Sequence, residues 1–138
     1  MKYILVMKKI LFVLASCLCI NYSYAQEIKD GHNSTIGYIK DGEVKDGHNA
    51  TIGHINSNGE VKDSHNTTIG VIRDGEFKDG HNATIGRAEG NEYKDGHNST
   101  VGYIRDGEVK DAHNTTIGYA KGVSANEAAA FFFYYHFN

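Results

Sequence analysis

The polar and apolar positions of this chain fall into a short cycle. In Glu43-Val44-Lys45 one apolar residue sits between two charges, an alternation that gives a strand one apolar and one charged face. In Thr51-Ile52-Gly53-His54-Ile55 the alternation fails, because Ile52 and Ile55 lie three apart and would face opposite ways on a regular strand. The glycine between them returns as Gly37, Gly53, Gly70, Gly86, Gly102 and Gly118. It predicts a β-bulge or a close backbone approach, and a bulge would turn both isoleucines toward one core. Two turn signals punctuate the cycle. Asp41-Gly42, Asn58-Gly59, Asp74-Gly75 and Asp106-Gly107 suit a tight two-residue hairpin loop with positive φ. In the other signal, Asp-Gly-His-Asn, glycine and asparagine both tolerate left-handed geometry. Each unit therefore reads as a β-hairpin of short strands. The glycine load and the lack of a helical stripe exclude helix here.

The motif D-x-H-N-x-T-[IV]-G occurs six times, with His32, His48, His65, His81, His97 and His113 spaced by 16, 17, 16, 16 and 16 residues. Such regularity means that one small unit is stacked or closed into a ring. One hairpin alone orders more backbone than its few aliphatic side chains can compensate, so neighbouring copies must shelter one another. The apolar columns that would do so are Ile36, Ile52, Ile69, Ile85, Val101 and Ile117, and beside them Ile28, Val44, Val61, Phe77, Tyr93 and Val109. Open stacks show degenerate terminal copies, but the copies from Glu27 and from Glu108 are as regular as the middle ones. The expected fold is all-β, a closed symmetric ring or shallow barrel of six short β-hairpins over residues 26–123. A hairpin solenoid is the alternative; the repeat is too short for a four-stranded propeller blade.

Residues 124–138 break the pattern. Ser124-Ala125-Asn126-Glu127 is a capping box, and Ala128 to Ala130 favour helix. Phe131, Phe132, Phe133, Tyr134, Tyr135 and Phe137 follow without a polar face, giving an expected C-terminal hydrophobic helix of about 14 residues, too short to span a bilayer. A helix apolar all round must be buried. It either plugs the ring or inserts into a membrane surface or partner, with Tyr134, Tyr135 and His136 at the interface.

At the other end, Lys2, Lys8 and Lys9, the apolar run Ile10 to Ile20, and Ser23-Tyr24-Ala25 read as a secretory signal peptide over residues 1–25, cut before Gln26. Leu14-Ala15-Ser16-Cys17 also resembles a lipobox, which would make Cys17 a lipid-bearing N-terminus. Export follows from either, to the periplasm, the outer membrane or the medium. Both cysteines, Cys17 and Cys19, fall in this leader, so the repeats have no disulfide or thiolate chemistry of their own. Loss of residues 1–25 removes three lysines and no acids, taking the formal charge from −3 to −6. That balance argues against nucleic acid as a partner. All eight histidines remain, and their full protonation would carry the charge to +2.

Candidate chemistry is confined to the turns. The pairs His32-Asn33, His48-Asn49, His65-Asn66, His81-Asn82, His97-Asn98 and His113-Asn114 form a multivalent rim that could bind a ligand or envelope partner. The histidines could instead hold zinc, copper or nickel, although equivalent residues two strands apart lie about 9.5 Å from one another. Asp30, Asp46, Asp63, Asp79, Asp95 and Asp111 are placed to accept backbone amides in the turn, with calcium as the alternative. Asn-x-Ser/Thr in every copy matches a glycan acceptor, but also a turn asparagine followed by a strand threonine. No Gly-x-Ser-x-Gly, phosphate loop, dinucleotide fingerprint or HExxH is present, and no cofactor is called for. Six equal copies also fail to create the asymmetric acid/base pairs of catalysis, so the chain reads as a non-enzyme.

Asn33-Ser34-Thr35-Ile36-Gly37-Tyr38-Ile39-Lys40-Asp41-Gly42, its counterpart Asn98 to Gly107, and Gly118-Tyr119-Ala120-Lys121-Gly122-Val123 before an alanine and phenylalanine tail resemble the exported bacterial five-fold β-flower proteins. The resemblance covers about residues 26–138 and the style of the leader. It implies a shallow symmetric ring of hairpins in a family without an established function. The six copies depart from a five-fold pattern, which implies either a sixth petal or a split terminal copy. The His-Asn pair is also more uniform than the family pattern demands.

Overall fold

The computed structural model describes residues 25–137. The segment read as a leader, with Cys17 and Cys19, lies outside them. Twelve strands follow one another: Gln26–Asp30 (β1), Thr35–Lys40 (β2), Glu43–Asp46 (β3), Thr51–Ile55 (β4), Glu60–Asp63 (β5), Thr68–Arg73 (β6), Glu76–Asp79 (β7), Thr84–Glu89 (β8), Glu92–Asp95 (β9), Thr100–Arg105 (β10), Glu108–Asp111 (β11) and Thr116–Tyr119 (β12). Each pairs antiparallel with its neighbours, and β1 closes on β12 to make a barrel of six hairpins. At the seam Asp30 faces Gly118, just as Asp46 faces Gly37 between the first two hairpins. Closure thus repeats the register used everywhere else, and the solenoid alternative fails because the described strands leave no free edge.

The expected alternation holds on the odd strands. Ile28, Val44, Val61, Phe77, Tyr93 and Val109 point inward, none more than 1 % exposed. The flanking glutamates and lysines face out; Thr68 and Thr116 donate to Glu60 and Glu108 at 2.5 Å, and Thr35, Thr51 and Thr100 pair likewise with Glu27, Glu43 and Glu92. The even strands carry the bulge. Val44 pairs with Gly53 but Lys45 pairs with Thr51, leaving Ile52 as the extra residue, and the same slip occurs in every hairpin. As expected, the bulge brings both apolar positions to the core, Ile55 buried and Ile52 half-buried against it.

The turns refine the sequence reading. Asp41-Gly42, Asp74-Gly75 and Asp106-Gly107 each take positive φ at both residues, at Asp41 50° and at Gly42 80°. Asn58-Gly59 does not: only Gly59 is left-handed, the loop is one residue longer, and Asn58 Oδ1 accepts from Glu60 N at 3.0 Å. In Asp-Gly-His-Asn the asparagine alone takes the left-handed conformation, with φ from 65° to 69°, and the glycine does not. The loop is a type I turn closed by a left-handed residue, with Asn33 N donating to Asp30 O at 3.0 Å. At Gly96 glycine serves closeness instead, since a Cβ there would lie 2.7 Å from Thr84 O, whereas Ser64 and Ala112 carry a Cβ at the same turn position of their petals.

Ser124 caps the C-terminal helix by accepting from Glu127 N at 3.3 Å, and its hydroxyl donates to Glu127 Oε2 at 3.0 Å, so the expected glutamate turns back to the serine side chain where a full capping box would take the serine backbone N–H. The helix is shorter than expected. Ala125–Ala129 (α1) is α-helical, Ala130–Tyr134 is π-helical, and Tyr135 is extended. Ala128, Ala129 and Ala130 are buried within the ring. The start of the helix lines a cavity with Asp41, Gly42 and Asn56 at the Asp-Gly rim, whereas Tyr135, His136 and Phe137 line another with Ile52, toward the His-Asn rim. The segment therefore runs through the ring from one rim to the other.

Candidate functional site: the histidine-collared mouth

Each of the six aromatic residues of the plug sits on one of the six bulge glycines. Phe131 lies on Gly37, Phe132 on Gly118, Phe133 on Gly102, Tyr134 on Gly86, Tyr135 on Gly70 and Phe137 on Gly53. Residues 131 to 135 thus step from petal to petal around the ring, against chain order. His136 is skipped and remains exposed. The π turn explains the step: an i→i+5 bond, Tyr135 N to Ala130 O at 3.0 Å, spreads each turn over more residues than an α-helix does. The glycines supply the space. A Cβ on Gly86 would lie 2.1 Å from the Tyr134 ring, and one on Gly70 would lie 2.4 Å from Tyr135.

Two plug residues carry hydroxyls, and both find backbone acceptors at bulges. Tyr134 Oη donates to Lys94 O at 2.8 Å and Tyr135 Oη to Lys78 O at 2.8 Å. Burial raises both phenols, Tyr135 to about 12, so they remain hydrogen donors throughout the physiological range. Tyr134 stacks on the inward Phe77 with centroids 4.2 Å apart, and Phe133 packs beside Tyr93. Tyr93 pairs with Ala88, the small residue that replaces isoleucine in that petal.

Around this centre the six Asp-x-His-Asn turns form a collar. Every aspartate works locally: Asp30 Oδ1 accepts from His32 N and Ser34 N, both at 2.9 Å, and Asp46, Asp63, Asp79, Asp95 and Asp111 repeat the pair. The amides of Ser34, Ala83 and Ser99 lead in holding Asp30, Asp79 and Asp95 below the usual carboxylate range. The turn tips are thereby fixed while their side chains face solvent. His32, His48, His65, His81, His97 and His113 are all exposed, as are Asn33, Asn49, Asn66, Asn82, Asn98 and Asn114. The structure brings these pairs to one rim but does not converge them. Among the described residues no group of three or more His, Cys, Asp or Glu is placed to hold a metal ion.

Inside the collar the surface turns apolar. Ile36, Ile52, Ile69, Ile85, Val101 and Ile117 ring the half-buried Phe131, Phe132, Phe133, Tyr134 and Phe137. A cavity of about 190 Å³ opens between Ile52, Phe131, Tyr135, His136 and Phe137. No described helix is long and apolar enough to cross a membrane. The sequence offers one signal for the match of plug to wall: six aromatics in the tail and six strand glycines, equal in number.

Residues 25–136 match the family model described as 5-fold beta-flower protein. The chain belongs to that family. Its ring nevertheless has six petals, all complete hairpins, so the extra copy is neither split nor shared. No curated protein and no solved structure matches the chain. For this β-flower, then, function has to be argued from the mouth itself.

Proposed function

We propose that this protein is a non-enzymatic exported binding module of the bacterial envelope, which engages a ligand or partner through its histidine-collared mouth. The observation that carries the reading is the uniformity of the collar. Six exposed His-Asn tips are held by the same pair of aspartate-to-amide bonds, although the turns at the opposite rim vary. Rigid, repeated tips bind multivalently, so weak single contacts sum to useful avidity. The apolar centre adds contact area that water would otherwise cover.

A membrane-inserting tail is the second reading, favoured by the half-buried aromatics at the mouth. Against it stands their seating: withdrawing them would empty the ring and strip Tyr134 and Tyr135 of their backbone acceptors. A metal ring has less support, because histidines two strands apart lie about 9.5 Å from one another while a zinc ligand sits at about 2.0–2.1 Å.

The test is cosedimentation of purified protein with isolated envelope fragments, comparing the native chain with one in which all six collar histidines are serine. The variant should fold normally, since those side chains are exposed, and its bound fraction should fall at least tenfold. An unchanged bound fraction rejects the collar. Flotation of the native chain with phosphatidylethanolamine–phosphatidylglycerol vesicles would instead favour the inserting tail.

A further inference from the structure

The outer wall breaks the six-fold symmetry at one position. Between the outward glutamate and lysine columns each petal presents one residue: Tyr38, His54, Val71, Arg87, Tyr103 and Tyr119. The three tyrosines are scattered in sequence but adjacent in space, because ring closure places β12 beside β1 and so Tyr119 between Tyr103 and Tyr38. Each neighbour in this row is two strands away, about 9.5 Å between backbones, and the rings spread apart on the convex face of the closed barrel. Two cavities open in the wall along the same sector. One, of about 480 Å³, lies between Tyr103 and Tyr119 over Glu108 and Lys110, with Asn91 and Asn114 at its ends. The next, of about 300 Å³, continues from Tyr119 to Glu27, Lys29 and Asn33.

We infer that this tyrosine row binds an extended neutral polysaccharide along the outside of the ring. A pyranose ring has an apolar C–H face and a rim of hydroxyls, which matches a tyrosine ring flanked by amide, carboxylate and ammonium groups. Tyrosine also contributes rigid contact area at low entropic cost. Charge in the row is mixed: Lys29 and Lys110 lie 3.7 and 3.9 Å from Glu27 and Glu108, and Arg105, Asp106 and Lys121 also line the cavities, so four bases stand against three acids and a neutral ligand meets no strong field of either sign. The opposite sector, with His54, Val71 and Arg87, has no such row.

Calorimetry with two soluble hexamers, β-1,4-linked glucose and β-1,4-linked N-acetylglucosamine, tests this on the full chain. At least one should bind. Tyr119→Ala, at the border of both cavities, should weaken binding at least tenfold, and Tyr103→Ala by a smaller factor. Tyr119→Phe should retain most of the affinity, and Arg87→Ala in the opposite sector should leave it unchanged. Thermal melts of each variant check that the wall is intact, and replacing the six collar histidines, none of which lines either cavity, should have no effect, which separates this site from the mouth. Absence of binding to both hexamers at millimolar concentration overturns the inference. So does equal loss from Arg87→Ala and Tyr119→Ala, or binding confined to polygalacturonate.

Discussion

The wall of the ring repeats one solution six times, whereas the plug that fills it contains no repeat. In the wall, each inward residue faces a glycine across the hairpin, as Val61 faces Gly70 and Val109 faces Gly118. In the plug, a single run of aromatic residues meets those glycines one by one, helped by a π turn and by the skipping of His136. The difference shows how an asymmetric segment can fill a symmetric hole: the repeat supplies identical vacancies, and the segment needs only a suitable angular step. It also divides the energetics. The wall supplies backbone pairing, and the plug supplies much of the apolar volume that no petal possesses.

The largest expected effect comes from removing one side of the pair. A chain ended at Val123 loses six aromatic side chains, and single buried aromatic truncations cost about 3–5 kcal/mol each against a typical domain stability of about 5–15 kcal/mol. It should show no cooperative thermal transition; a sharp melt would mean that the wall stands alone. Next comes crowding of one vacancy. Gly102→Val places a Cβ where Phe133 and Lys110 O lie 2.5 and 2.3 Å away, and should cost about 3 kcal/mol in urea unfolding. Gly90→Asn is the control, since Gly90 is left-handed with nothing within 4 Å of its Cβ position, and it should stay within about 0.5 kcal/mol. Equal effects at the two glycines would remove the distinction between wall positions that face the plug and those that do not.

The smallest effect belongs to the collar and concerns the wall alone. Asp30, Asp79 and Asp95 have lowered folded pKa values, so their contribution is present above the unfolded value, near ~3.9, and is lost as pH falls through the folded values. Melting temperature should therefore decline as pH falls below about 4. Asp79→Asn should flatten that decline slightly without moving the neutral-pH melt by much, because an amide oxygen can still accept from His81 N and Ala83 N. A steeper decline in the variant would contradict the assignment.

Much of the wall is legible in the order of its residues. Turn chemistry, the bulge at the strand glycine, the N-cap at Ser124 and ring closure all follow from local residue choice or from the regular end copies. What escapes a sequence reading does so for two physical reasons. Gly31 and Gly96 look conformationally permissive, whereas neither takes a positive φ and a Cβ on them would lie 2.9 and 2.7 Å from a neighbouring carbonyl oxygen, a distinction dihedral preference alone cannot make. The plug looks like one long helix because alanine and aromatic composition reports burial but not pitch; its π turn is set by the petals it must reach. Repetition is enough to identify the collar residues. It cannot reveal the tyrosine row, which exists only once β12 meets β1.

That seam has a further consequence. Gln26 at the start of β1 pairs with Ile39 beside the Asp41-Gly42 turn, and Ala120 after β12 bonds to Gly107, so both ends of the wall emerge at the same rim. Any tether joined upstream of Gln26 leaves from that side. The six histidines then point away from the point of attachment, like the open face of a bloom on its stalk.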